Sequence, residues 1–243
     1  MPRPSSPAKL ITGLGVSVPT LLDDGVLSHT AHIQLLQRLK ARGASAFLLA
    51  GSPADSALSF TERLELSVVS CAAVSGTPIV ITLPRTVSDN QLSALTGFAT
   101  SVLIPGNINM TELDLEVLHR RVQACSLGLV LLHRPRVCLV NPSLAPVLSR
   151  LNVQVVHDSH EIASLYALRD AGVAVLVGSS YNLLRAGANP AVFSDVAAVN
   201  IELVRECIAG DIDAHSTLMS LEARHAANRD VWLRDSASLL VTM

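Results

Sequence analysis

The amino-acid sequence predicts an α/β fold: a (β/α)8 TIM barrel in one domain with a short C-terminal helical extension. Three observations favour it. The 243 residues are the usual length of one such barrel. Apolar residues make up 49% of the chain but aromatic residues only 3%, a composition typical of a parallel sheet buried on both faces. Short apolar runs alternate with helical segments, as expected for parallel strands joined by crossover helices.

Eight apolar runs are predicted to be the strands of the barrel. They are residues 11–18, 46–49, 78–82, 101–104, 127–132, 153–156, 173–177 and 191–193. The helices are predicted to be residues 35–41 in a helix that begins near residue 28, then 59–76, 88–96, a helix from 111, 142–150, 161–171, 181–186, 196–209 and 212–229. The last repeats are shorter than the first ones.

Capping patterns mark several of these boundaries. Ser59 stands three residues before Glu62, the spacing of a capping box at the start of a helix. Thr111 begins the fourth helix in the same way. Gly43 stands where the first helix ends, and Pro105 stops the fourth strand.

Residues 1–9 are expected to be a disordered tail, residues 10–209 the barrel and residues 210–243 the helical extension. No leader-type apolar segment is present near Met1, so a cytoplasmic location is expected. The net charge of −2 without long runs of one sign predicts no nucleic-acid and no membrane partner. The four cysteines form no CxxC pair and are expected to be reduced.

In a (β/α)8 barrel the chemistry collects at the C-terminal ends of the strands, where the βα loops meet. This rule nominates Thr20, Pro84, Ser194 and residues 51–55, 105–107, 133–136, 157–160 and 178–180.

Several segments at these strand ends resemble the dihydrodipicolinate synthase and N-acetylneuraminate lyase family. Gly51-Ser52-Pro53-Ala54-Asp55, followed by Leu58-Ser59 and Glu62-Arg63, is similar to the family's Gly-Thr-Thr-Gly-Glu, Leu-Ser, Glu-Arg signature. Further segments in the family's order are Val18-Pro19-Thr20, Pro105, His133-Arg134-Pro135, Val156-His157-Asp158-Ser159 and Ala209-Gly210-Asp211 with Ala214. The resemblance covers residues from about 10 to 215, and no single motif is intact.

The resemblance implies a site for pyruvate or a related 2-keto acid, held as a Schiff base on a strand-six lysine with a strand-five tyrosine as proton relay. Here His157 stands at the lysine position and Leu132 at the tyrosine position. Ser52 keeps one loop hydroxyl, whereas Pro53 has neither the second hydroxyl nor a backbone N–H. A tyrosine that the family lends across a subunit interface would fall near Asn107.

An imine requires a primary amine, and imidazole cannot replace it. The chain has two lysines, Lys9 before the first strand and Lys40 in the last turn of the first helix. The sequence therefore predicts a family homologue inactive as a pyruvate-dependent lyase or synthase. We expect a 2-keto acid binder or a regulatory or oligomerising subunit, either a homo-oligomer (dimer or tetramer) or an assembly with an active paralogue.

A second hypothesis is a divergent lyase in which His157 or His133 moves protons on a 2-keto or hydroxy acid. Under either hypothesis the candidate substrate-binding residues are Ser52, Asp55, Arg134, Arg136, Asn107 and Ser179. Strict alignment puts Val137 rather than Arg136 at the family's arginine position. The series His157-Asp158-x-His160 raises a metal site as a further alternative, but strand alternation turns neighbouring residues to opposite faces. No metal and no cofactor are predicted.

Overall fold

The computed structural model describes residues 10–134, 137–184 and 191–242. The expected tail at residues 1–9, the candidate Arg136 and the end of the predicted helix 181–186 lie outside the described residues.

Eight parallel strands close into a barrel, so the predicted fold class is confirmed. The strands are β1 Leu14–Val18, β2 Ala46–Leu49, β3 Ile79–Thr82, β4 Ser101–Pro105, β5 Gly128–His133, β6 Gln154–His157, β7 Val175–Val177 and β8 Ala191–Ser194. Each strand pairs with its neighbours along the chain, and β1 closes the ring by pairing with both β2 and β8. A two-stranded antiparallel hairpin, Leu22–Asp23 with Val26–Leu27, follows β1.

Helices alternate with the strands and surround them. The α-helices of the described ranges are α1 His29–Ala41, α2 Phe60–Ala73, α3 Asp89–Ala94, α4 Glu112–Ala124, α5 Ala145–Arg150, α6 Ile162–Asp170, α7 Ile201–Ile208, α8 Ile212–His225 and α9 Arg229–Thr242. Short 3-10 helices lie at Pro53–Ala57, Pro142–Leu144, Ser180–Asn182, Val196–Ala198 and Ala226–Asn228. Complete capping boxes start α2, α3 and α4, as the sequence pattern indicates for α2 and α4.

Most predicted elements agree with the structure to within a few residues, and β2 agrees at both ends. The first strand starts at Leu14 rather than at residue 11, because Gly13 has a φ of +75° that interrupts the extended chain. Ile11 instead exchanges hydrogen bonds with the side chain of Gln154 at the N-terminal end of the barrel.

One predicted helix ends earlier than expected. The sequence predicts a continuous helix over 212–229, but α8 ends at His225 and α9 begins at Arg229 after one 3-10 turn. Helix α9 returns across the barrel: Leu233 and Ala237, one turn apart, are buried, and Arg38 of α1 donates to the Val241 carbonyl near the end of α9. This turn brings residues 226–234 over the strand ends.

The apolar side chains form two clusters, because successive residues of a strand face opposite sides of the sheet. The larger cluster lies between strands and helices. The smaller one fills the barrel and is made of Ile11, Ala46, Leu48, Val80, Leu103, Val130, Leu132, Cys138, Val156, Leu176 and Phe193. Phe193 fits because residue 15 is glycine: a Cβ there would lie 2.4 Å from the phenyl ring.

The four cysteines are unpaired, and Cys138 and Cys207 are buried. Among the helices of the described residues, we find none with the length and hydropathy needed to cross a bilayer.

Candidate ligand-binding site at the barrel mouth

A cavity of about 570 Å³ lies at the C-terminal ends of the strands, the end where (β/α)8 barrels carry their sites. Its floor is the upper layer of the barrel interior: Leu48, Leu103, Leu132, Val156 and Phe193. Residues 226–231, 233 and 234, from the 3-10 turn and the start of α9, line the opposite side. The cavity thus lies between an apolar floor and a roof that combines apolar and charged side chains.

The strand alternation places charged residues directly above the floor. Arg134 lies two residues beyond Leu132, and Asp158 two residues beyond Val156, so each pair faces the cavity from the same side of its strand. Arg134 Nη2 lies 2.5 Å and Nε 2.7 Å from Asp158 Oδ2. This ion pair joins the ends of β5 and β6 and neutralises both charges.

A second ionic cluster ties α9 to the barrel. Arg229 donates from Nη1 to Asp195 Oδ2 at 2.5 Å and from Nη2 to Asp195 Oδ1 at 2.9 Å. Its Nη2 also lies 2.6 Å from Glu222 Oε1, which accepts a hydrogen bond from the Ser180 hydroxyl. Burial raises the pKa of the Asp195 carboxyl, and the charge of Arg229 opposes this rise. The cluster joins β8, α8 and α9.

The loop after β2 is held in place by Arg63. This buried guanidinium donates to the carbonyls of Thr82 at 2.9 Å and of Asp55 at 2.8 Å, and its Nε donates to the carbonyl of Leu58 at 3.2 Å. The Leu-Ser-x-x-Glu-Arg motif is therefore structural here: Ser59 and Glu62 cap α2, and Arg63 fixes the loop that precedes it.

Ser52 and Asp55 of this loop line the cavity. The Ser52 hydroxyl donates to Asp230 Oδ1 at 2.9 Å, a second link between the barrel and α9. Asp55 Oδ2 accepts the Ser52 N–H at 3.2 Å. Burial raises the pKa of the Asp55 carboxyl, while the Thr20 hydroxyl, the Ser52 N–H and the charges of Arg234 and Arg63 act in the opposite direction.

The structure differs from the expectation for the two candidate catalytic histidines. His133 and His157 lie on neighbouring strands in register, and both side chains face the helices instead of the cavity. His157 Nε2 lies 2.6 Å from the Ser164 hydroxyl of α6, and His133 Nδ1 accepts the Val140 N–H at 3.2 Å. The residues that face the cavity are their predecessors, Leu132 and Val156.

The two imidazoles form a stacked pair, with ring centroids 5.1 Å apart and planes at 9°. Burial lowers the pKa of both, and for His157 burial and the adjacent His133 lower it to about 4. Both rings are therefore neutral at pH 7. They belong to the packing between the barrel and the helical layer.

The remaining candidates do not converge. His157 faces α6, whereas Asp158 pairs with Arg134 in the cavity. His160 stacks on Tyr181 at the surface, with ring centroids 3.8 Å apart. The three residues of His157-Asp158-x-His160 therefore do not form a common ligand set. Within the described ranges no group of three potential metal ligands occurs.

Asn107 and Ser179 lie outside the cavity lining. The Asn107 side chain instead accepts the Asn109 N–H at 3.0 Å. Arg136 belongs to the residues that the structure does not describe.

Sequence reasoning missed the residues that α9 and its preceding turn contribute, namely Asn228, Arg229, Asp230 and Arg234. It also missed Asp195, although its neighbour Ser194 was nominated as a strand end. The alternation of β8 beyond Phe193 is the sequence signal that points to Asp195.

Fold and site together define the class: a (β/α)8 barrel whose mouth carries C-terminal helices over a cavity of about 570 Å³. A dihydrodipicolinate synthase of known structure has the same fold, at 20% identity and a TM-score of 0.73 over 88% of this chain and 83% of that chain. A dihydrodipicolinate synthase family protein from Coccidioides immitis is 18% identical, with a TM-score of 0.76 over 99% and 86% of the two chains.

YagE from E. coli K12, a member of the dihydrodipicolinic acid synthase family whose structure contains pyruvate, is also 18% identical, with a TM-score of 0.76 over 95% and 89%. No protein-family model matches the sequence, and a search of the curated proteins gives no match. At these identities the likeness establishes the fold, and it agrees with the resemblance drawn from the strand-end motifs.

Proposed function

We propose that this chain is a divergent homologue of the dihydrodipicolinate synthase and N-acetylneuraminate lyase family that binds a small carboxylate, such as a 2-keto acid, without forming a Schiff base. Two independent lines support family membership: the ordered motifs at the strand ends, and the shared barrel fold of solved family structures. On this proposal the chain is inactive as a pyruvate-dependent lyase or synthase.

The observation that carries the proposal is the chemistry of the cavity lining. Among the described residues that line it there is neither a primary amine nor a phenol. On the strands where the family has its lysine and tyrosine, the residues that face inward are Val156 and Leu132. An aliphatic side chain cannot condense with a ketone. The floor can therefore contact a ligand through its apolar surface but cannot form an imine with it.

The positions of the chain's lysines also support the proposal that no Schiff base forms in the cavity. Lys40 lies on α1, and its Nζ donates to the Ser75 carbonyl at 2.9 Å on the outer side of the barrel. Lys9 lies outside the described residues. The next residues along the chain, Leu10 and Ile11, lie beside the N-terminal ends of the strands, at the opposite end of the barrel from the cavity.

Carboxylate binding is supported mainly by Arg234, the cation of the lining that forms no close ion pair with a described residue, since Arg134 and Arg229 are paired with Asp158 and Asp195. A guanidinium in a partly enclosed cavity is suited to a carboxylate, because its planar fork can donate two parallel hydrogen bonds. A volume of about 570 Å³ is within the range of small-molecule sites in proteins.

Borohydride trapping tests the part of the proposal which says that no Schiff base forms. The protein is incubated with pyruvate and borohydride and its intact mass is measured. We expect an unmodified mass, because a trapped imine would require an amine within reach of the ligand. A borohydride-dependent pyruvate adduct would overturn this half.

A thermal-shift comparison tests the binding half. A panel of 2-keto, 2-hydroxy and 2-amino acids is compared with the corresponding carboxamides. At least one acid should raise the melting temperature, by about 5 °C at roughly 100 times its Kd, and its amide should not. Stabilisation by none of the acids, or equally by an acid and its amide, would contradict carboxylate binding.

The alternative of histidine-based acid–base catalysis gains no support from the geometry, because both imidazoles lie behind the barrel wall. The assembly expected from the resemblance stays part of the proposal. Exposed apolar side chains at Ile108, Leu113 and Val137 are compatible with an oligomer interface. Light scattering of the purified chain, alone and mixed with an active paralogue, measures both the homo-oligomer and the mixed assembly.

A further inference from the structure

One corner of the cavity holds Thr20, Asp55 and Arg234, whose polar groups are only partly compensated within the part of the chain that the structure describes. The Arg234 guanidinium, on α9, lines the cavity, and its charge acts on the Asp55 carboxyl, but it forms no hydrogen bond and no close ion pair with a described residue. Thr20, only 3% exposed, lies beside the Asp55 carboxylate, but its hydroxyl makes no hydrogen bond of normal geometry. A buried hydroxyl that is not fully hydrogen-bonded costs free energy, so a ligand group that bonds to Thr20 would be favoured here.

The other two cations of the lining are already paired with carboxylates. Arg134 pairs with Asp158, and Arg229 holds Asp195 with both of its terminal nitrogens. A ligand carboxylate at either guanidinium would compete with the carboxylate that is already paired there. Arg234, Thr20 and the remaining lone pairs of Asp55 are not held in a close ion pair of this kind, because Arg234 acts on Asp55 only through its charge.

Arg234 and Asp55 can bond to different groups of one ligand. A guanidinium is a donor only and calls for an anion such as a carboxylate. An ionised carboxyl such as Asp55 is an acceptor only and calls for a hydroxyl or an ammonium group. A keto oxygen is itself an acceptor, so it cannot form a hydrogen bond with the Asp55 carboxylate, and the lone pairs of the two groups repel each other. The apolar floor adds a place for an aliphatic chain.

We infer that Thr20, Asp55 and Arg234 form a subsite for an aliphatic carboxylate that carries a hydroxyl or ammonium donor, and that it binds 2-hydroxy or 2-amino acids in preference to the matching 2-keto acids. The inference rests on the proposed function for the place of the ligand and goes beyond it in naming the ligand class. Arg234 binds the carboxylate, Asp55 accepts from the donor, and Thr20 donates to or accepts from the same group.

Three probes with one carbon skeleton separate the alternatives: 2-ketoisocaproate, 2-hydroxyisocaproate and leucine, the last two as both enantiomers. Their carboxylate and isobutyl groups are the same, and only the group on C2 differs. We expect one donor-bearing acid to bind at least about 10-fold more tightly than the keto acid, the size expected for one hydrogen bond to a charged group. Titration calorimetry measures the Kd values, and the better of hydroxy acid and amino acid identifies the donor.

The variant Asp55→Asn tests the assigned role. The amide keeps the size of the side chain and an acceptor for the Ser52 N–H, but it loses the negative charge. The preference for the donor-bearing acid should fall to within about threefold, while the keto acid binds no more weakly than before. Thr20→Val, which has the same shape, should weaken the donor-bearing acid by about 10-fold without unfolding the protein.

Arg234→Gln should weaken all the probes by about 10-fold or more, because each has the same carboxylate. Arg224→Gln is the matched control: Arg224 is exposed in the last turn of α8, outside the lining, and should leave every Kd unchanged. Equal or tighter binding of the keto acid, or an Asp55→Asn variant with an unchanged preference, would overturn the subsite while leaving the proposed carboxylate site intact. Binding of no carboxylate would overturn both.

Discussion

Arg229 binds both carboxylate oxygens of Asp195, at 2.5 and 2.9 Å, and thereby fastens the first turn of α9 to the end of β8. The same guanidinium reaches Glu222 of α8. One cation between two carboxylates thus helps to hold the roof of the cavity, beside the hydrogen bond from Ser52 to Asp230. Its position depends on contacts between residues 34 and 7 positions apart in the sequence.

The first prediction concerns this anchor. Arg229→Ala leaves the Asp195 and Glu222 carboxylates close together without a cation. We expect a loss of about 2 kcal/mol in the free energy of unfolding, less than for a fully buried pair because both partners keep some exposure. Urea unfolding measures the change. In an Asp195→Asn background the same substitution should cost under about 1 kcal/mol, since one of the two unpaired charges is then absent.

Arg42→Ala serves as the control for this anchor. Arg42 forms an exposed ion pair with Glu202 at 3.8 Å, and pairs of this kind contribute about 0–1 kcal/mol. Equal costs for Arg42→Ala and Arg229→Ala would show that Arg229 is an ordinary surface cation.

The second prediction tests which residue of β6 faces the cavity. Val156→Lys places an amine on the apolar floor, where burial lowers its pKa and keeps part of it unprotonated. Incubation with pyruvate and borohydride should then yield a covalent adduct in the intact mass. His157→Lys places the amine behind the barrel wall against Ser164, and it should yield none.

Circular dichroism of both variants shows whether the barrel has folded, because a buried amine is expected to cost several kcal/mol. An adduct on His157→Lys but not on a folded Val156→Lys would reverse the assignment of the two faces.

The strands were predictable because each is an apolar run ended by Gly, Pro or a charged residue, and the capping box at Ser59 identified the start of α2. The side of the sheet to which each side chain points was not predictable. A strand buried on both sides has no alternation of polar and apolar residues, so the sequence cannot tell whether Val156 or His157 points inward. The register of the closed barrel decides this.

The roof of the cavity was missed for a different reason. No Gly or Pro lies between His225 and Arg229, so the helical pattern looks continuous there. The chain turns because distant contacts, Arg229 with Asp195 and Asp230 with Ser52, stabilise a new direction for α9. Arg234 enters the site through this turn and could not be nominated from its neighbours in the sequence.

The third prediction is a pH dependence of stability. The pKa of His157 is lowered from 6.5 to about 4 in the folded protein, so the unfolded chain takes up a proton at a higher pH than the folded one does. The contribution of neutral, buried His157 to the free energy of unfolding is complete above pH 6.5. It is lost as the pH falls from 6.5 towards 4. One pKa unit corresponds to about 1.4 kcal/mol, so the loss over this window is on the order of 3 kcal/mol.

His157→Gln should flatten this part of the profile, since glutamine does not titrate and its amide can still bond to Ser164. His32, whose pKa is also lowered to about 4, should keep a residual slope in the variant. Unfolding free energies measured between pH 4 and 7.5 check the difference. A variant with the same slope as the original chain would show that His157 titrates alike in the folded and unfolded states.

The last prediction concerns the packing that shapes the floor of the cavity. Gly15→Ala would place a methyl group 2.4 Å from the Phe193 ring, closer than two carbon atoms can approach, so the ring or β1 must shift. Overpacking of this kind costs about 1–3 kcal/mol. Adding Phe193→Leu frees the space, and in the Phe193→Leu background Gly15→Ala should cost less than about 1 kcal/mol. A double-mutant cycle by urea unfolding measures this coupling, and purely additive costs would show that residues 15 and 193 do not contact each other across the β1–β8 seam.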